Sequence, residues 1–326
     1  MINSVRETVL SVLNKNNYGY VSPQDFNLFA KQAQLDLFED IFYQYNYQIN
    51  KETARQSGTG YANITKGIVE VIDLFSVLSP LTLQQDGAGN NVISNIYQMP
   101  SELTTGSDYY LINKVLCYNN QLVSSTTTGN TDYKLVDNTQ NFTSTSIPVG
   151  SLVVNINSAN PIYAYVTAVD STSVLSLSAN VMGTIEDYVI YNNVISAEAE
   201  KVSQSKINML INSSVNMLTS PTALYPAYTT QGSLISLYPV TINQPGQVFA
   251  QYIRYPADPQ WTFATITGNE PVFNEGAANY QDFELPEDYE PDLVTKILSY
   301  SGMSIREIQI AQYAESEENM DNQTER

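Results

Sequence analysis

The chain has 326 residues, a net charge of −19, one cysteine and no histidine. Without histidine there is no Ser-His-Asp or Cys-His nucleophile pair and no imidazole metal ligand, and a single cysteine excludes an intrachain disulfide and a thiolate zinc site. Charged residues make up 14%, against roughly 25% in average soluble proteins. Their place is taken by Asn, Gln, Ser, Thr and 24 tyrosines, and tyrosine suits surfaces that stay packed against partners.

Residues 4–15 predict an amphipathic helix with Val5, Val9, Val12 and Leu13 on one side. The segment lacks the continuous apolar core and small-residue cleavage site of a signal peptide. No run of about 20 apolar residues follows anywhere, so the expectation is a protein made in the cytoplasm that spans no membrane.

The most legible element is residues 22–51. Ser22 is the expected N-cap, with Pro23 at the first helical position, Asp25 at the third, and Val21 placed to staple onto Phe26. Leu28, Leu35, Phe42 and Ile49, with Phe38 and Tyr45 between them, form one heptad-like stripe; Phe26, Phe29, Ala33, Leu37 and Ile41 form a second. Two stripes imply burial on two sides. The simpler reading is a core helix of a large domain. The sharper one makes Leu28, Leu35, Phe38, Phe42, Tyr45 and Ile49 candidate subunit-interface residues.

After a polar loop, residues 64–78 are apolar and β-branched, and their period does not separate strand from buried helix. Residues 81–85 and 92–98 read as a hairpin around the Asp/Gly/Asn turn at 86–91, which lacks the ligand spacing of a calcium loop. Tyr109–Tyr118 is a long strand signal containing Cys117, expected as a core thiol. The Ser/Thr/Gly stretch 124–130 reads as a hinge. Beyond it, five short alternating segments within residues 133–191 predict a small antiparallel barrel or sandwich inserted between two hinges.

Residues 196–218 predict a return to helix. Ser203 and Lys206 formally match the S-x-x-K pattern of serine acyl enzymes, but K-T-G is absent and a solvated helix face explains the pair. Strands follow at residues 234–238 and 248–255, then a rigid loop with Pro256, Pro259 and Trp261. From residue 270 to the end there are 14 acidic and three basic residues. Six carboxylates (Asp282, Glu284, Glu287, Asp288, Glu290, Asp292) crowd a helix start, where the dipole favours acids; an acid–base pair of a glycosidase is the alternative use. Residues 293–300 read as helix, Gly302 as its C′ residue, Ser304 as the cap of another helix, and 315–326 as an acidic tail.

The predicted fold class is α+β. N- and C-terminal helices form a helical body with β-hairpins over residues 1–123 and 194–314, and the β module at 124–193 is inserted. Nothing in the chain calls for a cofactor or metal, and an acidic chain without a Lys/Arg cluster is a poor candidate for gripping DNA.

Several segments, in this order, resemble one family: residues 23–46 with FAKQAQLDLFEDIFYQYN, 234–239 (LISLYP), 252–256 with Trp261 (YIRYP…W), and 283–286 with 293–305 (FELP…LVTKILSYSGMSI). Together they resemble virion structural proteins of tailed phages, in particular the neck or ring (head–tail connector) proteins of crAss-like podoviruses. The β module is similar to inserts of phage connector proteins. The resemblance implies a non-enzymatic homo-oligomeric ring of about a dozen copies in the virion, closed by head-to-tail contacts. The ring would stack at the portal vertex with portal, other neck and tail ring proteins and possible capsid or head-fibre neighbours, while DNA passes through its centre. The rival expectation is a fibre- or spike-associated protein that binds host glycans through the module, with Tyr163, Tyr165, Tyr188 and Tyr191 as sugar platforms.

Overall fold

The computed structural model describes residues 1–14, 21–54, 64–84, 94–157, 162–192, 196–212, 220–265 and 271–305. The elements begin with helices α1 (Ile2–Asn14), α2 (Pro23–Ala54) and α3 (Ile64–Asp73), then β1 (Ser76–Pro80), β2 (Ile96–Gln98), the one-turn α4 (Glu102–Thr105) and β3 (Tyr109–Tyr118). Strands β4 (Gln121–Thr126), β5 (Gly129–Thr131), β6 (Lys134–Val136), β7 (Leu152–Asn155), β8 (Ile162–Val169), β9 (Val174–Leu177), β10 (Asp187–Tyr191) and β11 (Ser196–Lys201) follow. The chain continues through α5 (Gln204–Ile211), β12 (Ala227–Gln231), β13 (Leu234–Tyr238), β14 (Val248–Arg254), β15 (Phe263–Thr265), β16 (Pro271–Phe273) and α6 (Glu290–Ile305). The architecture is mixed α+β. It divides into two units, residues 1–75 with 255–326, and residues 76–254.

In the first unit α1 buries Ile2, Val5, Val9 and Leu13, and α6 buries Leu293, Ile297 and Leu298. α6 packs along both α1 and α2, and α3 packs on α2. Gly302 is buried inside α6, which continues to Ile305 without the expected break; its neighbours hold it helical despite the modest cost of a mid-helix glycine. The helix expected after Ser304 and the 315–326 tail lie outside the described residues from residue 306 on.

The second unit is built from two seven-stranded sheets. The first has the order β1-β14-β3-β11-β12-β13-β2. Period-2 alternation turns Val115, Cys117, Ala199, Tyr228, Ile235, Leu237, Val248, Ala250 and Tyr252 to one face, where they form a single core with Leu81 and Leu83. The sheet curls until its ends meet. The chain just past β1 bridges back to β2 through Leu83 and Tyr97, with Gln84 N donating to Ile96 O and Gln98 N to Thr82 O.

The second sheet has the order β4-β10-β7-β8-β9-β6-β5, antiparallel throughout. Its two edges, β4 and β5, are consecutive in the chain and separated only by Thr127 and Thr128, so this sheet also closes on itself as a small barrel. Its interior holds Phe142, Val153, Val166, Leu175, Tyr188 and Ile190. The outward residues Leu152, Val154, Val189 and Tyr191 pack on Tyr118 and Phe249 of the first sheet, with Tyr118 edge-on to Phe249 at 5.2 Å. Each sheet of the pair therefore buries residues on both of its faces.

Three sequence expectations change. The ranges 1–123 and 194–314 do not make one helical body, because β1–β3 and β11–β14 leave them to form the first sheet. The supposed hinge at 124–130 is β4 and β5, since its hydroxyl-bearing residues suit a strand and Thr127 is buried. Residues 196–201 are strand rather than helix: Ala197 and Ala199 face in and Glu198 and Glu200 face out, a period of two. Only α5 is helical in that region among the described residues. The 64–78 segment resolves as both alternatives in turn, α3 then β1. The 86–91 turn lies outside the described residues, although the strands it would join do pair.

Candidate interaction surface

Helix α2 begins as its sequence dictates. Ser22 Oγ accepts from Asp25 N at 3.1 Å and donates to the Asp25 carboxylate at 2.6 Å, and Val21 and Phe26 are both buried across the cap. One face buries Phe26, Ala30, Ala33, Leu37 and Ile41, the second predicted stripe with Ala30 in place of the half-buried Phe29. Gln34 sits on the same side, 1% exposed, donating to Ala257 O at 2.8 Å and accepting from Glu284 N at 3.0 Å.

The first stripe does not hold together as a single surface. Leu28 is 64% exposed and points away from the buried face; Leu35, Phe42 and Tyr45 are half-buried. Phe38 is fully buried, edge-on to Phe42 at 5.0 Å and to Phe75 at 5.1 Å, and has no surface to offer a neighbour. Ile49 lies outside the residues whose side chains are described. The cause is geometric. A seven-residue repeat drifts by about 20° per heptad around a straight α-helix, so a stripe that starts outward at Leu28 leans towards the core by Phe42. Tyr43, which the stripe omitted, is 69% exposed. The outward surface of α2 is thus Leu28 and Tyr43 set among Gln24, Asp25, Gln32 and Glu39.

The candidate chemical groups are absorbed structurally. Asp282 accepts from the Met1 ammonium at 2.9 Å, Ile2 N at 2.7 Å and Phe283 N at 2.8 Å. Burial alone would raise its pKa, but these donors outweigh it and hold the carboxyl below its ordinary value. That is the wrong direction for a general acid. Glu284 accepts from Ala257 N at 2.7 Å, and Glu290 from Ser4 Oγ at 2.6 Å. Ser203 stands at the N-cap position of α5 without a side-chain capping bond, one turn before Lys206, and its hydroxyl meets Ser205 Oγ at 3.2 Å. Cys117 is buried in the first sheet, where desolvation pushes its pKa up to about 12. Among the described residues no group of three or more His, Cys, Asp or Glu could hold a metal ion, and no helix is long and apolar enough to cross a membrane.

The tyrosines are used differently from the expectation of a tyrosine-rich surface. Tyr97, Tyr118, Tyr188, Tyr191, Tyr228 and Tyr252 are all buried; the Tyr97 hydroxyl donates to Gln244 O and that of Tyr188 to Asp137. Tyr188 and Tyr191 therefore present no face to a sugar, and Tyr163 and Tyr165 are half-buried against each other and Phe249.

Sequence reasoning missed two polar centres. Trp261 is 2% exposed, stacks near Phe263 and Phe273, and lies under the Arg6 guanidinium at 3.8 Å. Its ring N–H donates to Asn3 Oδ1 at 3.0 Å, and its backbone exchanges hydrogen bonds with Asn27. The single tryptophan and the Pro-rich context marked this loop as rigid, but its partners lie more than 200 residues away in sequence. The other centre is Asp137, wholly buried, which accepts from Thr139 N, Thr139 Oγ1 and Tyr188 OH. Asp-x-Thr is a local turn signature and was available.

No protein-family model matches the chain, and no curated protein matches it.

Proposed function

We propose that the chain is a non-enzymatic virion structural protein that forms a closed ring of about a dozen copies in the neck of a tailed phage. In this reading it joins portal and capsid to the tail. Its neighbours are portal, other neck and tail ring proteins, and capsid or head fibres. It is made in the bacterial cytoplasm and ends in the virion. In this reading the helices α1, α2, α3 and α6 belong to the ring body.

The observation that carries the reading is the outward face of α2, where Leu28 and Tyr43 stand exposed on a helix about 48 Å long. Support also comes from the fate of Asp282, Glu284, Glu290 and Cys117, each of which is engaged in hydrogen bonding or packing within the chain. The first unit bears nine Lys/Arg against 23 Asp/Glu, the second five against ten. The first unit is accordingly the wall expected to face DNA, repelling phosphate so that the genome slides.

The test is Leu28→Asp combined with Tyr43→Asp. Both side chains are exposed, so the variant should keep its Tm while ring particles disappear from negative-stain images. Normal rings from the variant would remove α2 from the subunit contact. Phe42→Asp or Phe38→Asp would be a poor test, because either disrupts the intrachain aromatic cluster.

A further inference from the structure

We infer that consecutive copies of this chain dock head to tail through the second unit, the free end of the small barrel of one copy seating on the α5 face of the next. The inference deepens the ring reading and rests on it, since a ring needs two different patches of one subunit to meet.

The topology gathers the β5–β6 turn, the β9–β10 connection and the start of β8 at one end of the small barrel. Leu177 N donates to Tyr133 O at 2.8 Å, Tyr133 N to Asn180 Oδ1 at 3.3 Å, and Ile162 pairs with Asn155. Three large apolar side chains stand out there: Ile185 at 74% exposure, Tyr133 at 58% and Ile162 at 42%. Tyr133 and Ile185 hold φ values of 59° and 60°. This left-handed backbone is unfavourable for any residue with a Cβ, and most of all for a β-branched one. Gly or Asn would fit both positions better. Packing within the chain recovers little of the strain, because the side chains project into solvent. What these positions retain is the projecting side chain itself. The rim is acidic, with Asp132 and Asp187 both exposed.

A complementary surface lies elsewhere on the same unit. β11, α5 and β12 form a parallel crossover in which Ile207 faces inward at 1% exposure. Lys206 and Met209, three residues apart, share the outer face of α5, and Met209 is 73% exposed. Lys201 ends the preceding strand. Among the described residues neither Lys201 nor Lys206 forms an ion pair, whereas Lys31, Lys114, Lys134 and Lys296 each pair with a carboxylate. In so acidic a chain, two exposed cations beside an exposed methionine match an acid-rimmed apolar tip in both sign and character.

The decisive experiment is cross-linking of a chain carrying Ile185→Cys and Met209→Cys, with Cys117 shielded in the core. Mild oxidation should give a ladder of dimers, trimers and higher species on a non-reducing gel, and each single-cysteine variant should stop at the dimer. Adding Lys201→Glu and Lys206→Glu should weaken the ladder at least tenfold, and further adding Asp132→Lys and Asp187→Lys should restore it. The docking is overturned by a doubly substituted chain that gives no more than the single-cysteine products. It is overturned equally by a charge swap that keeps the parent Tm but recovers no ladder. Closed rings in images of the unmodified chain without a ladder would reject this docking and leave the ring reading intact; a ladder that yields only open filaments would uphold the docking and reject the ring.

Discussion

Replacing Asp137 with Asn removes one charge from the interior of the small barrel and leaves its shape unchanged. The native carboxylate is fully buried. One oxygen accepts from Thr139 N at 2.8 Å and Thr139 Oγ1 at 2.6 Å, and the other from Tyr188 OH at 2.8 Å. Hydrogen bonds to a charged acceptor contribute about 1.5–3 kcal/mol each, against about 0.5–1.5 for neutral pairs. An amide can keep its oxygen on Thr139 but must turn a donor towards Tyr188. The expected loss is about 2–3 kcal/mol at pH 7, a Tm decrease of about 4–12 °C for a unit of this size. Burial alone would raise the pKa of Asp137, but donors from Thr139, Ser125 and Tyr188 outweigh it and depress it. The stabilisation is therefore fully present above the unfolded carboxylate pKa of about 3.9 and is lost as pH falls through the lower folded value. Thermal unfolding followed by far-UV circular dichroism should show a gap between wild type and Asp137→Asn at pH 7 that closes below about pH 4. Equal stabilities at pH 7, or a gap that stays constant into acid, would refute the reasoning.

Gly246 has φ +67°, and a Cβ there would lie 2.9 Å from Val154 Cγ1 in β7, whereas Gly232, at φ +57°, has nothing within 4 Å. Gly246→Ala should cost about 2–4 kcal/mol in chemical denaturation and Gly232→Ala only about 1–2, the difference measuring how tightly the two sheets pack. Cys117, buried and with its pKa raised by desolvation, should resist a thiol reagent at pH 8 until denaturant is added; rapid labelling of the folded chain would contradict its placement. Trp261→Ala should destabilise the first unit by about 3–5 kcal/mol in urea, because it also strands Asn3 Oδ1, the acceptor of the ring N–H, while the backbone bonds to Asn27 remain.

Much of the secondary structure was legible because local rules and tertiary packing agree. Ser22, Pro23 and Asp25 start α2 by their own hydrogen bonds, and β3 and β13 fall where alternation puts them. Where sequence and structure part, composition points one way and period the other. Ala and Glu in residues 196–201 favour helix intrinsically, yet their alternation matches a strand between β3 and β12. Ser and Thr at 124–130 read as linker, yet the same residues bend one strand around a barrel corner. The α2 stripe needed three dimensions, because Phe38 meets not only Phe42 but also Phe75, far along the chain. The projecting Tyr133 and Ile185 left no sequence signal, since positive φ at a non-glycine residue is set by the turns around it.

The central claim is that this chain functions as a subunit of a closed ring around DNA at the neck of a virion. Cryo-electron imaging of whole virions, with the two units fitted into the neck density, tests it most directly. The account predicts a closed ring of about a dozen copies at the portal vertex, with α2 at subunit contacts and the small barrel of each copy touching the next. A neck that lacks this fold, or copies of it found as trimers on tail fibres, would contradict it.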